Sequence, residues 1–345
     1  MNATLEQVHS GDPQRSEKHP ILDVSKSTQH LIQSSISENT KIAYKRALSA
    51  LEVWLQGKPL TDSLLSEYLT LCYEKGLAPA SIAIVPAAVR FSARLRGIES
   101  PIGSLSERTL AGIRRKGRGR GRGQVTGLTF SETKFLVGQI AKHGVKGIRD
   151  AALFSLMSDC MLRVSELIAV QVQDVEVAAD GSGRLQLPQS KTDQEGLGAT
   201  LYVGAPTMMR IQNWLGLIER YLGEIDRKSQ LFLSIRRGGH IKRSGMSAQG
   251  VCKNIKKYVN EAGLQGRFSG HSFRVGTAQS LAQRGATLTQ MQTAGRWKSP
   301  KMPASYCRNE LAGRSAVATL LYSSSGEAEP PQENSGGECH GVGGG

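Results

Sequence analysis

In the segment SGHSFRVGTAQSLAQRG, His271 and Arg274 stand three residues apart, which places them on one face of a helix. Ser269 is positioned to cap the start of that helix, and Gly285 to close it. An imidazole and a guanidinium at a helix start make an anion site, because uncommitted backbone N–H groups and the helix dipole favour a phosphate there. Arg163 and Glu166, in CMLRVSELIAV, repeat the same spacing at a second expected helix start. Lys191 lies within the polar run QSKTDQEGLG, Trp297 in AGRWKSP, and Tyr306 nine residues further on in ASYCRN. Each residue alone has an ordinary structural reading. Arg163 with Glu166 is an intrahelical ion pair, Trp297 is core, Lys191 is solvated, and Tyr306 sits at the boundary between core and solvent. H-x-x-R by itself is a weak motif that chance supplies. The information is in the ordered set.

The elements that would position this set follow from hydrophobic spacing. Between Thr28 and Gly97, apolar residues recur at helical intervals: Ile42, Leu48, Leu51 and Trp54, then Leu64, Tyr68, Leu71 and Cys72, then Ile82, Val85, Val89 and Phe91. Three or four amphipathic helices in a small bundle account for them. A basic stretch at 108–126 carries Arg108, Arg114, Arg115, Lys116, Arg118, Arg120 and Arg122 without an acid. Its repeated Gly costs about 1 kcal/mol per helical position, so it reads as a flexible linker. From 127 to 322 the pattern is mainly helical, with one hairpin in which GRLQLP and ATLYV flank the polar tip bearing Lys191. A second basic cluster, Arg236, Arg237, His240, Lys242 and Arg243, falls in a Gly-rich loop. Residues 1–24 and 323–345 are polar and rich in Gly, Pro, Ser or Glu, and are expected to be disordered. The fold class expected is mainly α with a small antiparallel β-sheet, in two domains at 25–107 and 127–322.

Composition narrows the function. The 345 residues hold 44 Lys+Arg against 29 Asp+Glu, a net charge of +15, concentrated in the basic stretch and absent from an acidic tail. That asymmetry points to a polyanionic partner. No apolar run approaches the roughly 20 residues of a membrane span, and the amino-terminus has no secretory h-region, so a cytoplasmic, non-membrane protein is expected. Five widely spaced cysteines without a C-x-x-C pair argue against a disulfide framework or structural zinc. Neither G-x-G-x-x-G nor a Walker A sequence occurs, which removes the common nucleotide-phosphate loops.

With these residues in hand, the sequence resembles the tyrosine recombinase (phage integrase) family, and within it the Cre-like members. The family pattern is Arg, an acid three residues later, Lys on a hairpin, H-x-x-R, His or Trp, then Tyr. It appears here in order as Arg163, Glu166, Lys191, His271 with Arg274, Trp297 and Tyr306. The resemblance extends from about Thr28 to about Tyr322. It implies a helical core-binding, SAM-like domain and an α+β catalytic domain forming a clamp on double-stranded DNA. It also implies a monomer or dimer that assembles into a homotetramer at synapsis, without metal or cofactor, in the nucleoid.

The implied chemistry suits the residue types. Arg163 and Arg274 would grip the non-bridging phosphate oxygens with forked, permanently charged donors. Tyr306 would attack phosphorus to give a 3′-phosphotyrosine, its phenol made more acidic by nearby cations. Lys191 would protonate the leaving 5′ oxygen. His271 would assist proton transfer or simply donate to the phosphate, Glu166 would orient its neighbours, and Trp297 would donate its indole N–H. Arg114, Arg115, Lys116, Arg118, Lys45, Lys242 and Arg243 are the charge-based candidates for further DNA contacts. Pro303 is expected to start the helix that carries Tyr306. The apolar stripe Leu311, Val317, Leu320 and Leu321 is a docking face for either a neighbouring protomer or its own domain. Three alternatives stay open: a type IB topoisomerase or telomere-resolving enzyme, a DNA-binding protein without catalysis, and, on the Arg-Gly run alone, an RNA-binding protein.

Overall fold

The structure, a computed structural model, describes residues 25–121, 123–188, 198–315 and 317–318. The chain divides into two compact units, 1–123 and 124–345. Among the described residues no helix is long and apolar enough to cross a membrane.

The first unit is helical: α1 (Lys26–Ser34), α2 (Glu38–Leu55), α3 (Asp62–Glu74), α4 (Pro79–Ile82), α5 (Ile84–Arg96) and α6 (Ser104–Lys116). Ser37 and Thr61 cap α2 and α3 by accepting the Thr40 and Leu64 backbone N–H groups. Leu51, Leu65, Leu69, Ile82, Val85 and Val89 close into one core, as their spacing predicts.

Helix α6 corrects the expected boundary, because the first part of the presumed linker, Arg108 to Lys116, is helical. Ile113 of this segment is buried in the same core, with Leu110 packed against it. The Asp62 carboxylate accepts the backbone N–H groups of Gly103, Leu105 and Ser106 at 2.9–3.1 Å and so caps α6 from α3. Beyond Lys116, the described residues of this stretch lie outside helices and strands. Even there Arg120 donates to the Tyr73 carbonyl at 2.7 Å and lies 3.8 Å over its ring.

The second unit surrounds one helix. After α7 (Phe130–Ile140) comes α8 (Gly144–Asp159), buried on nearly every side by α7, by α10 (Ala205–Leu222) and by α12 (His271–Gln283). Between α8 and α10 lie α9 (Val164–Ala169) and a three-stranded antiparallel sheet, β1 (Val175–Val177), β2 (Gly183–Leu187) and β3 (Ala199–Val203). Leu185 pairs with both Val175 and Leu201, so that Gly183, Leu185 and Leu187 face the core. The expected hairpin is therefore present, with a third strand added.

A second sheet, β4 (Leu233–Ile235) with β5 (Ile241–Gly245), flanks the expected Gly-rich basic loop, leaving Arg236, Arg237 and His240 in the connection and placing Lys242 and Arg243 in a strand. Helices α11 (Ala248–Glu261), α13 (Leu288–Gly295), α14 (Lys301–Tyr306) and α15 (Arg308–Ala312) complete the unit. Helix α12 shows almost no amphipathic stripe because it is central, with Phe273, Arg274, Val275 and Ala278 all buried. Gly276 lets it touch the chain at Leu128, whose carbonyl oxygen would lie 1.8 Å from any Cβ there.

Candidate active site

Helix α8 ends in a turn at Cys160 to Leu162, where Met161 takes a left-handed conformation at φ 48°. Arg163 follows as the residue that opens α9, with its side chain about one quarter exposed. Glu166, in the first turn, accepts the Arg163 backbone N–H at 2.9 Å and its Nη1 at 2.5 Å. The predicted pair is thus both an ion pair and a helix cap.

His271 opens α12. Gly270 rather than Ser269 occupies the cap position, although the Ser269 hydroxyl accepts the His271 backbone N–H at 3.2 Å. One turn on, Arg274 is fully buried. Its Nη1 donates to the Met161 carbonyl at 2.7 Å and Nη2 to that of Gly295, while its guanidinium lies 4.6 Å from the Trp297 ring centroid. Nε of Arg274 is buried and has no partner among the described residues.

Helix α13 ends at Arg296 in the left-handed region, φ 53° and ψ 46°, which turns the chain so that Trp297 faces the site. Helix α14 then delivers Tyr306 at its last position. Pro303 lies within this helix rather than at its start, in the first turn, where a missing N–H breaks no hydrogen bond. Tyr306 Oη is 2.9 Å from His271 Nε2, and its ring is 5.7 Å from that of Trp297. Its carbonyl accepts from Gln279 Nε2 at 3.4 Å. Met161, Ala278, Met291, Trp297 and Cys307 form the apolar backing of the site.

Six of the seven residues singled out from the sequence are therefore assembled here. The seventh, Lys191, lies outside the described residues, as do Leu320 and Leu321. Arg114, Arg115, Lys116 and Arg118 are exposed at and just beyond the end of α6, and Lys45 is exposed on α2. Arg243 commits one nitrogen to the Leu222 carbonyl at 2.5 Å. Leu311 packs on its own unit, and Arg314 caps the end of α12 through the carbonyls of Ala282, Gly285 and Ala286.

One residue was missed. Arg296 places Nη2 2.9 Å from Glu166 Oε2 and Nη1 2.9 Å from the Cys160 carbonyl. No spacing rule pairs two residues so distant in sequence.

The electrostatics are set by burial against clustered cations. Burial raises Tyr306 above the ordinary phenol range, with Arg274 and Arg163 only partly offsetting it, so the phenol keeps its proton at neutral pH. This corrects the expectation that the cations dominate. Burial, then Arg274 and Arg163, push His271 below the usual imidazole value, leaving its ring neutral and able to accept a proton. Burial and the like charges of Arg163 and Arg296 bring Arg274 down to about 10, still cationic at neutral pH. Burial would raise Glu166, but the Arg163 N–H, Arg296 and the Arg163 side chain hold it below the usual carboxylate range. The pocket therefore sets three guanidinium groups against one carboxylate beside a neutral phenol–imidazole pair, a surplus that suits an incoming anion. Among the described residues no group of three or more His, Cys, Asp or Glu side chains could hold a metal ion.

Residues 127–312 match the Phage integrase family. The chain belongs to this family of tyrosine recombinases. It is 28% identical over 293 residues to an integrase/recombinase xerD homolog of Selenomonas ruminantium, covering 80% of this chain and 83% of that one. To recombinase cre of Escherichia phage P1 it is 22% identical over 281 residues, covering 76% and 80% respectively. The Cre-like subclass is thus a loose one. In fold, the recombinase resembles XerH bound to a palindromic difH substrate, with a TM-score of 0.63, 16% identity and coverage of 81% of this chain and 79% of that chain. It also resembles lambda integrase(75–356) bound as a dimer to a core site, with a TM-score of 0.54, 18% identity and coverage of 84% and 95%.

Proposed function

We propose that this recombinase cleaves and rejoins double-stranded DNA at specific sites through a 3′-phosphotyrosine on Tyr306. The observation that carries the reading is the Tyr306 hydroxyl 2.9 Å from a neutral His271 Nε2, in a pocket that Arg163 and Arg274 make cationic. Tyr306 Oη attacks phosphorus as its proton passes to His271, the P–O5′ bond breaks, and the departing 5′ oxygen takes a proton from Lys191. Arg163 and Arg274 stabilise the charge that gathers on the non-bridging oxygens, each such donor typically being worth about 3 kcal/mol. Trp297 packs between Arg274 and Tyr306 and offers its indole N–H to the phosphate. Because one phosphoester replaces another, the 5′ hydroxyl of a second duplex can reverse the step, so strands are exchanged without ATP.

The exposed cations at the end of α6 serve DNA backbone contact in this reading. Four protomers act together at synapsis, in the cytoplasm at the nucleoid. A type IB topoisomerase or a telomere-resolving enzyme would relax one circle or close hairpin ends instead of joining strands of two duplexes. A pure binding protein would have no use for a phenol hydrogen-bonded to a proton acceptor.

The test uses nicked duplexes from DNA flanking the protein's own gene, so that the cleaved fragment diffuses away. Wild type is expected to give a denaturation-resistant protein–DNA adduct at a 3′ end. Tyr306→Phe is expected to bind the DNA equally and give none. An adduct retained by Tyr306→Phe would move the nucleophile elsewhere, with Tyr322 or Tyr202 the next candidates.

A further inference from the structure

We propose that Arg296 is a positioning residue, acting through Glu166 to hold Arg163 ready for the scissile phosphate. The inference rests on the reading of the site given above and assigns to it a residue outside the set recognised in the sequence. Three donors fill the Glu166 carboxylate: Arg163 Nη1 on Oε1, and the Arg163 backbone N–H and Arg296 Nη2 on Oε2. Arg296 Nη1 simultaneously fixes the Cys160 carbonyl at 2.9 Å, and Arg274 Nη1 fixes that of Met161 at 2.7 Å. The turn that leads into Arg163 is thereby gripped from the far side by two guanidinium groups. Arg274 also binds the Gly295 carbonyl, directly before Arg296, which closes a ring of contacts between the start of α9 and the end of α13.

The chemistry explains why a second cation is needed. A phosphate-gripping arginine beside a buried carboxylate would spend its charge on that carboxylate. With Arg296 on Oε2, Arg163 gives Glu166 a single side-chain nitrogen, and its Nε and Nη2 have no partner among the described residues. A lysine could not span a carboxylate and a carbonyl with fixed geometry, whereas a planar fork does. Arg296 commits Nη2 to the Glu166 carboxylate and Nη1 to the Cys160 carbonyl, the two contacts through which it would set the position of Arg163. It also keeps a left-handed backbone that glycine adopts without strain. Of the three described non-glycine residues with positive φ, Gln56, Met161 and Arg296, the last two border this site. Such concentration is usual where surrounding contacts over-determine a functional geometry.

Arg296→Gly removes the guanidinium together with its stem while suiting the left-handed backbone, and Arg296→Lys keeps a stem and the charge but not the fork. Two measurements on the full chain are expected to respond. The 1H–15Nε resonance of Arg163 is expected to be broader in the DNA-free variant than in DNA-free wild type. Single-turnover cleavage of the nicked duplex should slow by about tenfold or more while Kd for the same DNA stays within about threefold. Combined with Glu166→Gln, Arg296→Gly should slow cleavage by less than about twofold beyond Glu166→Gln alone, because the two act through one path. Arg296→Lys, which keeps the charge but not the fork, should broaden the Arg163 resonance too and guards against loss of folding in the glycine variant. An unchanged Arg163 resonance in both variants, wild-type cleavage by Arg296→Gly, or losses that multiply with Glu166→Gln would each overturn the proposal. If wild type forms no adduct while the Arg163 resonance responds as expected, the reading of Tyr306 fails and the positioning role stands.

Discussion

At the Tyr306 hydroxyl, burial keeps the proton on oxygen while Arg163 and Arg274 favour its departure, and burial is the larger effect. The protein therefore does not store a phenolate; it stores a phenol beside an acceptor. His271 is neutral above a pKa that burial and two guanidinium groups have lowered from the usual 6.5. The sign follows directly: protonated His271 cannot take the phenol proton, so the cleavage rate at low substrate should rise with pH, bend below pH 6.5, and run level from about 7 to 9. Single-turnover rates between pH 5 and 9 test this (roughly the range over which an imidazole limb is visible). A rate still climbing tenfold per pH unit above 7 would mean that hydroxide, not His271, removes the proton. His271 and Tyr306 were legible as candidates only through the ordered set that carries the family resemblance. The direction of the Tyr306 shift was not, because it depends on how much of the ring is covered.

Among the elements, α8 is the structural centre of the second unit, and a buried ion pair anchors it. Arg149 and Asp150 lie 2.8 Å apart, almost without exposure. Arg149 donates to the Leu233 carbonyl of β4, while Asp150 accepts from Asn254 and Tyr258 of α11. Arg149→Met would leave Asp150 buried and uncompensated, and is expected to cost about 3–5 kcal/mol of stability, read from urea denaturation of the full chain. A loss below about 1 kcal/mol would show that the pair is dispensable. The helical spacing of α2, α3 and α5 was legible because each has one wet and one dry face. Helix α12 was legible by its motif alone, and α6 was misjudged because its Gly-Arg continuation obscured Leu110 and Ile113.

For the whole molecule, the basic excess has a place: Arg114, Arg115 and Lys116 project from the last turn of α6, where cations also complement the helix dipole. Replacing all three with Ala should weaken binding to every DNA sequence alike and reduce the slope of log K against log salt by about 2.7, at about 0.9 per phosphate contact. Filter binding between 50 and 300 mM salt (roughly the range in which such slopes are measured) checks it. An unchanged slope would take this turn out of the interface. The same experiment separates general backbone attraction from the site's own chemistry, since Tyr306→Phe should leave the slope untouched.

The sequence alone was enough for the two-unit organisation and for the ordered set of residues that carries the family resemblance. Those properties reside in residue type and in local periodicities of two and 3.6, which survive without coordinates. Tertiary structure decided what depends on distant segments meeting in one place. It made Arg108 to Lys116 a helix by giving Ile113 a core and Asp62 a cap to supply. It drew Lys242 and Arg243 of the Gly-rich basic loop into β5, and it set burial above the cations at Tyr306. It brought Arg296 to Glu166 across 130 residues of chain, a contact that no local spacing encodes because only the fold sets the end of α13 beside the start of α9.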